Sequence, residues 1–363
     1  MRAVTRLLTL LVTALLLLSS SAMATTKSAQ NFSNVFHHHY AKSPRLNIAV
    51  AANFAKPLAA IASDFTATTG IDVSITTSSS GTLYAQIFHG ASFDVFLSAD
   101  TASPAMLAKN NLIHPDNVTA FARGRLALIT PNASTETKTA LERFIAETSG
   151  KFAIANPKLA PYGLAAQQVL HNTSLWNTLK DRLVKGKNVL QAYQYVKTGN
   201  VKGALVAYST VLAEGEGSSG SHSENENLEG VSAPTSGTIL NKPAGFDKTG
   251  SSYIATGLHQ TMYWSLIDES LHAPIVQSLA INDNDAAALS PNVFDSINSV
   301  GEVVNTGSLV HIKPASLFVQ YLLSSSVQSS LSDWGYEGVI SHHHTHVRAT
   351  YHIGKMGADS WGM

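Results

Sequence analysis

The order of apolar and polar positions alternates between two periods along the chain. Residues 46–52 form an apolar run typical of a buried strand, and Leu58, Ile61 and Phe65 follow at helical spacing. Residues 71–75 then alternate between apolar and polar side chains, as expected of a second strand. The same strand-then-helix order recurs past the middle of the chain. Because such alternation builds a parallel sheet covered by helices, the pattern predicts an α/β protein.

The N-terminus has the three parts of a secretory signal peptide. Two arginines precede the apolar stretch 7–18, which is followed by an Ala-x-Ala exit ending at Ala24. A membrane-spanning helix needs about 20 apolar residues, so this stretch is too short to be an anchor. We therefore expect residues 1–24 to be removed and the mature protein to be exported to the periplasm. Residues 25–44 are polar without an apolar period, which predicts a disordered arm.

Two later segments interrupt the alternation. Residues 214–262 are rich in Gly, Ser, Glu and Asn, which is typical of a low-complexity insert. Residues 341–363 are rich in His and poor in apolar side chains. Neither segment has the apolar content expected of a packed core.

Charge and cysteine content exclude several classes of protein. The 363 residues include 24 Lys+Arg and 24 Asp+Glu, so the formal net charge is zero. Such a chain lacks the broad basic field that binds nucleic acid, and we expect no nucleic-acid partner. The absence of cysteine excludes a disulfide framework, a cysteine nucleophile and thiolate metal sites.

Neutral hydrogen-bond donors stand at four strand-to-helix junctions. They are Asn53, the run 78–82, the run 161–163, and Asn188 with Val189. Ligands of open α/β sheets bind at the carboxyl ends of strands, where helix N-termini present N–H groups. Neither run contains Lys or Arg, and donors without a countercharge suit a fully ionised small oxyanion. Taken singly, each position also has an ordinary explanation as a helix cap or turn.

Several segments, taken in order, carry a resemblance to a known family. They are Ala51-Ala52-Asn53-Phe54-Ala55, SSSGTLYAQI at 78–87, GASFDVFLSAD at 90–100, Asn156-Pro157 with APYGLA at 160–165, and the closing Trp334-Gly335-Tyr336. Together they resemble the periplasmic molybdate-binding proteins of ABC transporters. The resemblance covers residues 46–213 and resumes over 274–336.

The resemblance implies a type II periplasmic binding protein with two α/β lobes. Each lobe would be a mostly parallel sheet flanked by helices, with the ligand in the cleft between the lobes. The implied division is a first lobe over 45–124, a second lobe over 125–270 carrying the insert at about 214–262, and a return to the first lobe with a C-terminal helix over 271–340. The implied function is to capture molybdate, and tungstate, as a monomer without a cofactor and to deliver it to the membrane permease of an ABC importer.

The family's anion-binding residues map onto five positions here. Asn53 and Ser80 would supply side-chain and backbone donors from the first lobe, and Tyr162 and Val189 would supply backbone N–H groups from the second. The hydroxyl of Tyr208 would reach the anion. The chain departs from the family pattern in its first motif, where some members have Ser for Asn53 and others have Thr for the preceding alanine, so one side-chain donor is expected to be missing.

Three alternatives remain open on the sequence. A binder of another tetrahedral oxyanion, such as sulfate, would use the same donors. A secreted hydrolase would need a base in the cleft, and the carboxylates of Asp94 and Asp100 fall in and after a strand without forming a persuasive pair. Because no persuasive catalytic pair is found, we expect no enzymatic activity. A metal-carrying protein would use the His-rich ends of the chain, but these segments lack a scaffold, so we expect no metal site beyond the oxyanion.

Overall fold

A computed structural model describes residues 45–130, 141, 149–215, 252–255, 261–282 and 312–339. Its core is two six-stranded sheets. The first sheet, in spatial order, is β12 (Glu337–Gly338), β4 (Val118–Gly124), β11 (Ile275–Ile281), β3 (Val95–Ser98), β1 (Arg45–Ala51) and β2 (Asp72–Ser78). The second is β7 (Leu183–Gly186), β6 (Phe152–Ala155), β8 (Gly203–Ala207), β5 (Leu126–Thr130), β10 (Thr261–Leu266) and β9 (Ser252–Ala255). We call each sheet with its helices lobe 1 and lobe 2.

Helices follow the strands in both lobes. Lobe 1 contains α1 (Ala55–Thr69), α2 (Ser80–Phe88), α3 (Ala102–Lys109), α8 (Pro314–Leu322) and α9 (Ser325–Ser330). Lobe 2 contains α4 (Pro161–Asn172), α5 (Trp176–Leu179), α6 (Val189–Lys197) and α7 (Tyr208–Gly215). The first helix ends where Gly70 adopts a left-handed conformation with φ of 73° and its N–H bonds back to the Thr66 carbonyl. Helices α1 to α4, α6 and α7 each begin shortly after a strand, which is the order that the sequence predicts.

The predicted α/β class with two helix-flanked sheets is confirmed, and both sheets are mixed rather than mostly parallel. Strand β1 pairs in parallel with β2 and β3, but β11 runs antiparallel to β3 and β4. In lobe 2, β6 is parallel to β7 and β8, whereas β5 is antiparallel to β8 and β10. The cause is the chain path. It crosses from lobe 1 to lobe 2 between β4 and β5 and returns between β10 and β11. The strand that enters the new lobe at each crossing, β5 in lobe 2 and β11 in lobe 1, runs opposite to the parallel strands of that sheet.

The predicted insert overlaps ordered structure at its margins. Glu214 lies in α7, and Ser252–Ala255 forms β9 at the edge of the second sheet. The rest of the insert, the signal peptide at 1–24, the arm at 25–44 and the tail at 341–363 lie outside the described residues. Among the helices that the structure does describe, none combines the length and apolar character needed to cross a bilayer.

The C-terminal helix α8 is part of the lobe 1 core. Phe318 is fully buried and packs edge-to-face on Phe65 of α1, with the ring centroids 5.2 Å apart. Leu317 and Leu322 belong to the same apolar cluster as Ile48 of β1. Lobe 1 is therefore completed by a segment far along the chain from its first strand.

Replacing Phe318 tests this placement. Phe318→Ala removes a buried ring and leaves a cavity, so we expect the free energy of unfolding to fall by about 3–5 kcal/mol. The control is Phe88→Ala, because that ring is 45 % exposed and its loss should change the value by about 0.5 kcal/mol or less. Urea unfolding followed by circular dichroism measures both, and equal effects would contradict a core position for α8.

Candidate functional site

The carboxyl ends of β1 and β3 face lobe 2. Ala51 at the end of β1 and Ala99 directly after β3 are buried in the same apolar cluster as Val189 of lobe 2. Strand β1 continues into a 3-10 turn, Ala52–Phe54, before α1 begins. Helix α6 packs against this turn. The strand ends that the sequence predicts to bind a ligand therefore lie where the two lobes meet.

Ser80 presents donors at the start of α2. The preceding residue caps the helix, since the Ser79 hydroxyl oxygen accepts a hydrogen bond from the Thr82 N–H at 3.4 Å. The buried Ser80 hydroxyl oxygen accepts from the Ala99 N–H at 2.9 Å, which orients the hydroxyl and leaves its proton for another acceptor. Backbone N–H groups in a first helical turn have no intrahelical acceptor. One residue can therefore offer both a hydroxyl and a backbone donor.

The two lobes touch across the cleft beside Ser80. The Gly81 N–H donates to the Leu159 carbonyl, which precedes α4 in lobe 2, at 2.9 Å. A Cβ at residue 81 would lie 3.1 Å from that carbonyl oxygen, so glycine permits this close backbone approach. The lobes are closed on each other at this point.

Tyr162 and Val189 stand at the starts of two lobe 2 helices. Pro161 is the first residue of α4, where the missing N–H of proline costs no hydrogen bond, and Tyr162 follows it. Val189 is the first residue of α6, and the Asn188 side chain caps that helix by accepting from the Gln191 N–H at 3.0 Å. The backbone N–H groups of both predicted residues lie in first turns and lack intrahelical acceptors.

Asn53 uses its side chain within the protein. Its Nδ2 group donates to Oε1 of Gln277 at 2.8 Å and to the hydroxyl oxygen of Tyr336 at 2.9 Å. An amide nitrogen carries two protons, so these two bonds engage both. The sequence predicts Asn53 to donate to an anion through its side chain and its backbone N–H, and the structure engages the side chain within the protein. The role of Asn53 toward an anion stays a prediction.

The hydroxyls of Tyr336 and Ser209 and the carbonyl oxygen of Asn53 form a three-membered hydrogen-bonded ring, which we call the hinge ring. The Tyr336 hydroxyl lies 2.8 Å from Oγ of Ser209 and 2.9 Å from the Asn53 carbonyl oxygen, and Ser209 Oγ lies 3.2 Å from the same oxygen. Burial raises the pKa of Tyr336 to about 12, although its hydrogen bonds partly oppose the rise. The Tyr336 hydroxyl therefore keeps its proton at neutral pH. Because Ser209 belongs to α7 of lobe 2, the hinge ring joins the lobes.

Tyr208 lies at the back of this junction. Its N–H donates to the Arg125 carbonyl at 2.9 Å, and its ring packs on Trp264 with the centroids 4.8 Å apart. A Cβ at Gly335 would lie 2.5 Å from the Tyr208 ring, so that glycine makes room for it. Burial raises the pKa of the Tyr208 hydroxyl, while the charge of Arg125 opposes the rise. The contacts recorded for Tyr208 are thus to the crossing segments, and its reach to an anion stays a prediction.

Cationic side chains at the junction are paired with carboxylates. Lys56 of α1 lies 3.0 Å from Glu214 of α7, and Lys197 lies 3.4 Å from the same carboxylate. At the crossing strands, Arg125 lies 2.8 Å from Glu269, which also pairs with Arg123. The first of these clusters joins the two lobes directly. The second ties the outgoing crossing to the returning one.

Sequence reasoning missed the side chains that hold Asn53. Gln277 interrupts the apolar run of β11, which was the available signal for a buried polar group. Tyr336 is in the closing Trp334-Gly335-Tyr336 motif, but its partners are not readable from it. Ser209 follows Tyr208 without any distinguishing spacing. All three residues lie far from Asn53 in the sequence; Gln277, for example, is 224 positions away.

Comparison with known proteins agrees with this two-lobed arrangement. A family profile described as bacterial extracellular solute-binding protein matches residues 46–337. The chain belongs to this family. It is a solute-binding protein rather than an enzyme.

Individual relatives of this solute-binding protein are also similar over half its length. The molybdate-binding protein ModA of Rhodobacter capsulatus is 40 % identical over 172 residues, which is 47 % of this chain and 67 % of that protein. The molybdate-binding protein ModA of Azotobacter vinelandii is 38 % identical over 183 residues, which is 50 % of this chain and 71 % of that protein.

Solved structures share the fold. The periplasmic molybdate-binding protein of Azotobacter vinelandii superposes with a TM-score of 0.54 at 23 % identity, covering 80 % of this chain and 98 % of that one. The sulfate-binding protein SubI from Mycobacterium tuberculosis superposes with a TM-score of 0.52 at 10 % identity, covering 82 % and 87 %. Both likenesses support the two-lobed binding-protein architecture.

The described part of the chain contains no cluster of metal-ligating side chains. No three His, Asp or Glu side chains there lie together in a way that would hold a metal ion. Both His-rich terminal segments that the sequence singles out fall outside that part.

The Lys56–Glu214–Lys197 cluster gives the fold a pH dependence. Partial burial raises the pKa of Glu214, but the hydrogen bond and charge of Lys56, joined by Lys197, lower it by more. A carboxyl whose pKa is lower in the folded state contributes stability above its unfolded pKa of about 4.3. That contribution is lost as the pH falls through the folded-state pKa.

We therefore expect Glu214→Gln to lose less stability than the unmodified protein between about pH 5 and pH 3. Thermal unfolding midpoints across that range measure the difference. Asp181→Asn, which removes an exposed carboxylate outside the cluster, is the matched control and should keep the pH slope of the unmodified protein. A Glu214→Gln slope identical to that control would contradict the ion-pair account.

Proposed function

We propose that this protein captures molybdate, and tungstate, outside the cytoplasm and delivers it to the membrane permease of an ABC importer. The observation that carries the proposal is the meeting of the α2, α4 and α6 starts with the Ala52–Phe54 turn at the junction of the lobes. The relatives described above as molybdate-binding proteins supply the identity of the anion.

The charge arrangement supports an oxyanion that is fully ionised. A helix N-terminus carries about half a positive charge and directs its N–H groups outward, so converging termini hold a dianion without an adjacent cation. The four junction cations described above are already paired with Glu214 or Glu269. The donors proposed for the anion are the Ser80 hydroxyl and the N–H groups of Asn53, Ser80, Tyr162 and Val189, with the Tyr208 hydroxyl as a further candidate.

The cellular setting follows from the same proposal. The chain belongs to a family of extracellular solute-binding proteins. The signal peptide expected at residues 1–24 would direct it to the periplasm. The closed, anion-loaded form is the species that the permease would recognise. We propose a monomer with no nucleic-acid partner.

Calorimetry tests the choice of anion. Molybdate and sulfate are both tetrahedral dianions, so the same protein donors could bind either anion. The size of the binding cavity would then determine which anion binds more tightly. We expect the mature protein to bind molybdate one to one and sulfate far more weakly. Sulfate affinity equal to or greater than that of molybdate would favour the sulfate alternative and contradict the proposal.

A serine substitution tests the assigned donors. Ser80→Ala removes a hydroxyl donor to the anion, and a hydrogen bond to a charged group contributes about 1.5–3 kcal/mol. We expect the Kd for molybdate to rise by about 10- to 150-fold. Ser92→Ala, at an exposed position in lobe 1, is the control and should bind as the unmodified protein does. Unchanged affinity in a folded Ser80→Ala variant would show that the anion binds elsewhere.

A further inference from the structure

The hydroxyl of Tyr162 is a buried polar group that the proposed function leaves unused. Only the backbone N–H of this residue is assigned to the anion. The side chain crosses from α4 in lobe 2 to Gly124, the last residue of β4 in lobe 1. A Cβ at residue 124 would overlap the Tyr162 hydroxyl oxygen, so glycine is required there for the tyrosine to take this position.

A second buried polar atom lies at the same place. Nε2 of Gln277 would be 3.0 Å from that same Cβ. Within the described residues neither this atom nor the Tyr162 hydroxyl makes a hydrogen bond of good geometry, although the hinge-ring hydroxyls of Tyr336 and Ser209 lie beside the Tyr162 hydroxyl. Gln277 is 0 % exposed and Tyr162 is 1 % exposed. A buried polar group without a partner destabilises the fold. Because an amide N–H and a tyrosine oxygen are complementary, one hydrogen bond between them would satisfy both groups.

The surroundings connect this pair to both lobes. Gln277 already accepts from the Asn53 amide, so it is fixed to the hinge ring. Burial and the neighbouring Tyr336 raise the pKa of Tyr162 well above its usual value, so its hydroxyl is neutral and able to accept a hydrogen bond. Tyr162 is the member of this group that belongs to the first turn of α4.

We propose that Tyr162 and Gln277 form a latch whose closure is coupled to the anion. The lobes already touch beside Ser80, so binding of the anion at the start of α4 needs only to shift this helix start slightly for the Gln277 Nε2–H to donate to the Tyr162 hydroxyl oxygen. The Tyr162 hydroxyl is a positioning group that touches no atom of the anion. Its effect is to slow the release of bound anion. This inference rests on the proposed function.

The first test removes the hydroxyl alone. Tyr162→Phe keeps the ring, its packing and the backbone N–H. Stopped-flow tryptophan fluorescence with molybdate is expected to show dissociation about 2- to 10-fold faster, as for the loss of one neutral hydrogen bond, with association unchanged. A merely structural residue would change the unfolding midpoint without this split between the two rates. Unchanged dissociation would overturn the latch.

The second test blocks the latch with one substitution and then relieves the block with another. Gly124→Ala places a methyl group where the Tyr162 hydroxyl lies and is expected to weaken molybdate binding by about 10- to 100-fold. Adding Tyr162→Phe removes the oxygen that clashes and leaves contacts of 3.0 Å with Gln277 Nε2 and 3.1 Å with the ring carbon, so the double variant should bind molybdate more tightly than Gly124→Ala and recover most of the lost affinity. A double variant as weak as Gly124→Ala would overturn the proposed contact.

The two proposals fail in different ways. If the unmodified protein does not bind molybdate in calorimetry, the proposed function is wrong. The variants are then compared by thermal unfolding without anion, where Tyr162→Phe should recover the midpoint lost in Gly124→Ala. Recovery supports the contact between the lobes, and its absence overturns the latch independently of the anion.

Discussion

The arrangement depends on satisfying one buried amide at the place where the two lobes meet. Asn53 lies buried in the turn that follows the first strand, and its side chain needs acceptors that no neighbouring residue in sequence provides. Gln277 from the returning strand and Tyr336 from the C-terminal segment supply them. Ser209 then ties the Asn53 carbonyl to lobe 2. Three distant parts of the chain are thereby fixed around a single buried residue beside the candidate site.

Because of this constraint, the side chains that hold the lobes together differ from the groups that we propose to bind the ligand. The side chains at the junction hold one another, with Asn53 on Gln277 and Tyr336, Lys56 on Glu214, and Arg125 on Glu269. The donors that we propose for the ligand are backbone N–H groups at helix starts and the Ser80 hydroxyl. Such donors are directed by helices and are poorly screened by salt in a closed cleft. They favour an anion that carries its full charge and offers only acceptors, because a protonated oxygen would find no partner.

Local patterns predicted much of the fold and part of the site. The strand-then-helix alternation located β1, α1 and β2, and the donor-rich junctions located Ser80 and Val189 at helix starts. The direction of the crossing strands was not predictable, since residues 275–281 read as an apolar strand that carries no mark of its pairing partner. The hinge ring was also beyond reach. Its hydrogen bonds join residues 127 to 283 positions apart, and no spacing within the sequence reports such contacts.

The central claim is that neutral donors on helix N-termini, rather than cationic side chains, hold the anion between lobes joined at Asn53. A crystal structure of the molybdate-bound protein tests it most directly. The account predicts molybdate oxygens within hydrogen-bond distance of the Ser80 hydroxyl and of the Ser80, Tyr162 and Val189 N–H groups, with the Asn53 amide still bonded to Gln277 and Tyr336. Molybdate held by a lysine or arginine side chain, or bound away from these helix starts, would contradict it.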